Sequence, residues 1–104
     1  MISKDLLFIS GKNKISIINI NYYELIREIK VPNSGWINGV CMLNENILFT
    51  GDEKGIIREW KIEEDNLILI SKKENAHNYE ILTLLNLGNG HIASCSADKS
   101  IKIW

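Results

Sequence analysis

The sequence is poor in residues that would announce a special chemistry. Its two cysteines, Cys41 and Cys95, stand far apart and form no CxxC pair. A thiolate zinc site and a disulfide framework are therefore not expected, and free thiols point to a reducing compartment, the cytoplasm first and the nucleus second. Only two histidines occur, His77 and His91, with no ligand spacing around them, so no metal centre is expected. Arginine is scarce, and a net charge of −1 leaves no basic field for nucleic-acid phosphates or anionic lipid. The pair Lys72-Lys73 reads as a solvated strand end. No Asn-x-Ser/Thr sequon is present. The apolar run Leu6-Leu7-Phe8-Ile9 is stopped by Ser10-Gly11-Lys12, too early for a signal core or a membrane span. Neither glycine pattern that cradles nucleotide phosphates occurs, so no cofactor is expected.

What the chain does have is apolar residues, 45% of the total, with a single proline, which is enough to bury a core. It also has a repeat. With Trp60 laid over Trp104, segments 33–60 and 77–104 align without a gap. Ile37 then falls on Ile81, Val40 on Leu84, Leu43 on Leu87, Leu48 on Ile92, Thr50 on Ser94, Ile57 on Ile101 and Arg58 on Lys102. A period of about 40–45 residues is that of a propeller blade with four short strands.

Segments 37–43, 47–51, 56–62 and 67–71 are short and β-branched or leucine-rich. Good turn formers separate them: Asn44-Glu45-Asn46, Asp52-Glu53-Lys54-Gly55 and Glu63-Glu64-Asp65-Asn66. Several strands are continuously apolar, as expected when both faces of a sheet are covered. Upstream, Leu6–Ser10, Ile15–Ile20 and Leu25–Lys30 read as the second, third and fourth strands of an earlier unit that lacks its first. The expected architecture is all-β, a partial propeller of consecutive four-stranded antiparallel blades. Residues 1–31 form an incomplete first blade (strands b–d), 32–75 a complete middle blade and 76–104 an incomplete last blade (strands a–c).

His77 and the stretch Ser94-Cys95-Ser96-Ala97-Asp98-Lys99-Ser100-Ile101-Lys102-Ile103-Trp104 resemble a WD40 repeat, which runs Gly-His, then Ser/Thr-Gly-Ser-x-Asp-x-x-Ile-Arg/Lys-Leu-Trp-Asp. The resemblance implies a buried relay in which Trp104 donates to Ser94, Ser94 reaches His77, and His77 reaches Asp98. The chemistry suits it: an indole only donates, a hydroxyl and an imidazole do both, and a carboxylate accepts. The chain departs from the pattern at Ala76 and Cys95, where glycine is usual. In the middle blade Thr50 and Trp60 keep the pattern, but Asn33 replaces the histidine and Lys54 the aspartate. A looser turn over Asp52–Gly55 is therefore expected there. Glu59 stands in a central strand without an evident reason.

Ser94, His77 and Asp98 are also the ingredients of a hydrolase triad. A nucleophilic serine needs an exposed, strained elbow, and Ala93-Ser94-Cys95 lies inside an apolar strand, so the structural role is preferred. The acidic turns Asp52-Glu53 and Glu63-Glu64-Asp65 carry no sign of paired catalytic carboxylates. Cys41 and Cys95 read as small buried hydrophobes, and His91, in a turn after Gly88-Asn89-Gly90, as an exposed imidazole.

Trp36 is not part of the repeat, since Glu80 is its equivalent. In WD40 proteins its position lies on the face that most often binds partners. Carried over, that face comprises Trp36, Asn38 and Glu53 in the middle blade and Glu80, Leu82 and Ala97 in the last. Either Trp36 is an exposed hot spot or it packs on a neighbouring loop. The resemblance thus implies a non-catalytic scaffold for protein or peptide partners. A rival reading is an incomplete arc that assembles with copies of itself or with more propeller sequence; a propeller-based hydrolase is a remote third. An arc of about two and a half blades leaves apolar flanks and unpaired edges, which predicts self-association.

Overall fold

A computed structural model describes the backbone of residues 2–3 and 5–104, and side chains from residue 5 onward. Among the described residues there is no helix, hence none long and apolar enough to cross a membrane. Among the described residues, eleven strands form three antiparallel sheets. The first holds β1 (Ile2–Ser3), β2 (Leu6–Ser10), β3 (Lys14–Asn19) and β4 (Glu24–Lys30) in that order. The second holds β5 (Ile37–Asn44), β6 (Ile47–Asp52), β7 (Ile57–Glu63) and β8 (Asn66–Lys73). The third holds β9 (Ile81–Gly88), β10 (His91–Ser96) and β11 (Ile101–Ile103).

Local chemistry explains the meander. Glu63 pairs with Asn66, leaving Glu64 and Asp65 as a two-residue loop with φ of 48° and 62°. Asn89 and Gly90, at 54° and 80°, do the same between Gly88 and His91. Two positive φ values give a turn whose twist matches that of the strands it joins. Between β5 and β6, the Asn44 side chain accepts the backbone N–H of Asn46 at 2.8 Å and closes the loop.

The sheets stack face to face. Leu6, Phe8, Ile15, Ile17 and Val31 share one core with Ile37, Leu48, Trp60 and Leu67 of the middle sheet. The other face of the middle sheet, with Cys41, Phe49 and Ile57, shares a second core with Ile81, Leu84 and Ile92 of the last sheet. This double coverage is why the middle strands are apolar on both faces. The approach is close at two glycines: a Cβ on Gly39 would lie 2.9 Å from Leu84 Cγ, and one on Gly51 2.7 Å from Ile81 Cγ2.

Two expectations change, one holds, and one residue left without a reason gains a partner. The first unit does have an opening strand, the two-residue β1, with Ile2 opposite Leu7. Cys95 is only half buried, unlike Cys41, because its side of β10 faces no further sheet. The Lys72-Lys73 pair does stand exposed at the end of β8, as expected; Lys72 forms a surface ion pair with Glu74 at 3.0 Å, and the Lys73 ammonium lies 5.3 Å from the centroid of the Trp104 ring. Glu59 has a partner as well, accepting from the Ser71 hydroxyl at 2.9 Å across the β7–β8 pair, so its charge sits at a half-buried margin.

Candidate functional site

In the last sheet, the loop between β8 and β9 brings His77 inward. Its N–H donates to the carbonyl of Gly55 at 3.1 Å, and its ring is buried. Gly55 has φ of 82°, and a Cβ there would lie 2.1 Å from the His77 carbonyl oxygen, so only glycine fits. The imidazole then meets three groups. Nε2 lies 2.6 Å from Ser94 Oγ, Nδ1 lies 2.9 Å from Asp98 Oδ2, and Ser100 Oγ is 3.1 Å from Nδ1. The Trp104 indole N–H donates to Ser94 Oγ at 2.9 Å. An indole can only donate, so the serine accepts from Trp104 and sends its own proton to Nε2; Nδ1–H then points to the Asp98 carboxylate.

Asp98 also closes its own turn. Its carboxylate accepts the N–H groups of Ser100 at 2.9 Å and Asn78 at 3.1 Å, and the Ser100 hydroxyl at 2.5 Å. These contacts hold its carboxyl well below the usual carboxylate range. The Ser100 hydroxyl contributes most, burial opposes the shift, and His77 and the two backbone N–H groups add to it. Ser96 completes the turn, accepting from Asp98 N at 3.0 Å while donating to the carbonyls of Tyr79 and Glu80. The Ser94 hydroxyl is buried and engaged on both sides, which leaves it no open face for a substrate.

The middle sheet keeps one element of this pattern, the Trp60 indole donating to Thr50 Oγ1 at 3.0 Å. Asn33, expected in the histidine's place, is exposed with φ of 63°, and Lys54 is exposed too. The turn over Asp52–Gly55 is nevertheless not loose, contrary to expectation. Asp52, only 1% exposed, accepts the N–H groups of Lys54 at 2.9 Å and Ile56 at 3.2 Å on one oxygen, and its other oxygen pairs with the buried Arg58 guanidinium. The sequence reading gives Asp52 only as part of an acidic turn, with no buried partner. The repeat alignment held the missing signal, since it sets Asp52 on Ser96, which also ties its turn, and Arg58 on Lys102, whose ammonium reaches the Ala76 carbonyl at 2.6 Å.

Hydrogen bonds join five of the six face positions into two groups, Trp36 with Glu53 and Asn38 with Glu80 and Ala97. Trp36 is 53% exposed, yet its backbone is fixed on both sides: its N–H donates to Glu53 Oε1 at 3.0 Å, and its carbonyl accepts Glu53 N–H at 2.9 Å. Two residues on, the Asn38 amide donates to Glu80 Oε2 at 3.0 Å and to the Ile81 carbonyl at 3.1 Å, bridging the middle and last sheets. The Glu80 carbonyl in turn accepts Ala97 N–H at 2.9 Å. Leu82 is 48% exposed and Ala97 is exposed. Of the two histidines, His91 lies outside this face; it is exposed, with Nδ1 3.0 Å from the Trp104 carbonyl.

WD repeat-containing protein 55 of Rattus norvegicus is 34% identical to this chain over 55 residues, which is 53% of this chain and 14% of that protein. The Mus musculus protein of the same name is 38% identical over the same shares. Among solved structures, a chain in the crystal structure of the mitotic checkpoint complex superposes with a TM-score of 0.84 and 13% identity, covering 98% of this chain and 33% of that one. The computationally designed Ika8 protein superposes with a TM-score of 0.79 and 18% identity, covering 100% of this chain and 31% of that one. At such identities the likeness to the solved structures speaks for the fold alone, and the fold is an all-β, partial WD40-type propeller. No protein-family profile matches the chain. The chain spans 14% of the length of the curated relatives it matches.

Proposed function

We propose that the chain is a non-catalytic WD40-type scaffold that binds a protein or peptide, in a reducing compartment, on the face made by Trp36, Asn38, Glu53, Glu80, Leu82 and Ala97. WD-repeat similarity supports a protein-interaction role in general terms. The single observation that carries the finer reading is Trp36, a residue more than half exposed while its backbone is held by Glu53. A large rigid aromatic presented in this way adds contact area to a complex with little ordering penalty. Asn38 and Glu80 supply polar groups beside it, already positioned by their mutual hydrogen bond.

The test is to pan a randomised peptide library on the chain and titrate the selected peptide into the isotope-labelled protein. The expected result is that the largest shifts fall on the Trp36 indole, the Asn38 amide and the backbone of Ala97. Shifts concentrated elsewhere, or no selected peptide at all, would remove the assignment.

A further inference from the structure

We infer that the outer edge of the middle blade pairs with the same edge of a second copy of this chain, antiparallel across a two-fold axis. The inference does not depend on the Trp36 face. It also stands apart from both ends of the chain, because the sheets before and after the middle one cover its two faces. Its edge is another matter: among the described residues β8 pairs with β7 alone, so its far side is open although neighbours flank the sheet on both faces.

The backbone sets which groups are free. Ile62 N–H bonds the Asn46 carbonyl at 2.7 Å, on the β6 side, so Ile62 and Leu67 oppose each other without exchanging hydrogen bonds. Alternation then turns the N–H and C=O groups of Leu67 and Leu69 outward, on either side of Ile68 and before the bulge that follows Leu69. Such groups are a template for another strand. Nothing on β8 refuses one: residues 67–70 carry no charge, and Ile68, Leu69 and Ile70 are 46%, 46% and 50% exposed. Leu69 is exposed even though it lies opposite Trp60, on the side that the first sheet covers. The outer strand of the first blade, β4, differs, with Glu24, Arg27, Glu28 and Lys30 among its seven residues. Charges of that kind keep an edge unpaired.

Charge selects the occupant. Glu63, Glu64 and Asp65 lead into β8, the apolar residues follow, and Lys72 and Lys73 close it. Among the described residues Glu64 has no ion pair, and Lys72 has only the exposed one with Glu74, which contributes little. Two copies set antiparallel with the axis at Ile68 bring Leu67 opposite the second copy's Leu69, where they exchange backbone hydrogen bonds. The same register brings Glu64 near the second copy's Lys72. A parallel pairing would put like charges together instead. The contact is isologous, so it closes at a dimer.

The experiment is sedimentation velocity on the 104-residue chain, its Glu64→Lys variant, its Lys72→Glu variant, and an equimolar mixture of the two variants. The expected result is association of the unmodified chain, at least about tenfold weaker association of each variant alone, and recovery on mixing. Recovery follows because the two variants meet with opposite charges at both ends of the paired strands. With Cys95→Ser as background, Ile68→Cys should also cross-link to its own copy under mild oxidation, since the axis brings the two side chains together. Where a charge reversal loses its β-sheet circular dichroism, the cross-link alone decides. A monomeric unmodified chain, association untouched by the reversals, a mixture no stronger than its components, or no cross-link at Ile68→Cys overturns the inference.

Discussion

The middle and last blades align residue for residue yet lock their β-hairpins with different chemistry. Both tie a tryptophan indole to a hydroxyl, Trp60 to Thr50 and Trp104 to Ser94. Beyond that bond they diverge. The last blade runs the hydroxyl on to an imidazole and a carboxylate, and His77 arrives from the preceding loop, so the lock joins the blade to its entry. The middle blade instead pairs Asp52 with Arg58 inside one hairpin and holds its entry loop separately through Glu53 and Trp36. What each lock must satisfy is the same: the orphan N–H groups of a tight turn and any buried polar side chain. The positions are constrained by geometry, whereas the residue types need only supply matching donors and acceptors.

The largest expected effect separates the two locks by charge. Asp52→Ala leaves a buried guanidinium without its partner, and such a loss destabilises by about 3–5 kcal/mol. Replacing Arg58 with Met as well should recover part of it. Urea denaturation of the two single variants and the double variant reads the coupling; additive losses would mean that the pair is not a unit.

Next in size, Ser94→Ala deprives both Trp104 and His77 of a partner, while Thr50→Val deprives Trp60. Each unsatisfied buried group is worth about 1–3 kcal/mol, so Ser94→Ala should cost more than Thr50→Val. Equal losses would show that the imidazole draws nothing from the serine. Ser94→Ala should also remove no hydrolytic activity, which an assay with a simple ester checks.

The comparison sharpens with pH. Because Asp98 titrates well below the usual carboxylate range in the folded chain, its contribution is complete above the unfolded value, about pH 4, and is lost as pH falls below that toward the folded one. The stability gap between the unmodified chain and Asp98→Asn should therefore narrow in acid, as followed by thermal melts between pH 7 and pH 3. A gap that stays constant would mean that the carboxylate charge is not what binds the turn.

The apolar spacing showed the blades and most strands, because burial and turn chemistry leave a local trace. Thr50, Ser94, Trp60 and Trp104 were legible through the repeat, and His77 and Asp98 through the resemblance to a WD40 repeat. Asp52 was not, since an aspartate at a turn looks solvated until Arg58, six residues on in the next strand, folds over it. Cys95 was misread for a related reason: its burial depends on whether another sheet covers β10, which its own neighbours in the chain do not reveal. Trp36 was open between two outcomes, and its exposure became visible only with the loop folded.

The account separates residues that hold the blades from residues that meet a partner, and one paired measurement tests that division. For Trp36→Ala and Ser94→Ala, the denaturation midpoint is recorded together with the affinity for a peptide selected on the unmodified chain. Trp36→Ala should weaken binding by about 2 kcal/mol or more with stability within about 0.5 kcal/mol of the parent, while Ser94→Ala should lower the midpoint and leave the folded protein's affinity intact. If both properties fall together in either variant, the binding face and the structural lock are not separate, and the assignment is wrong.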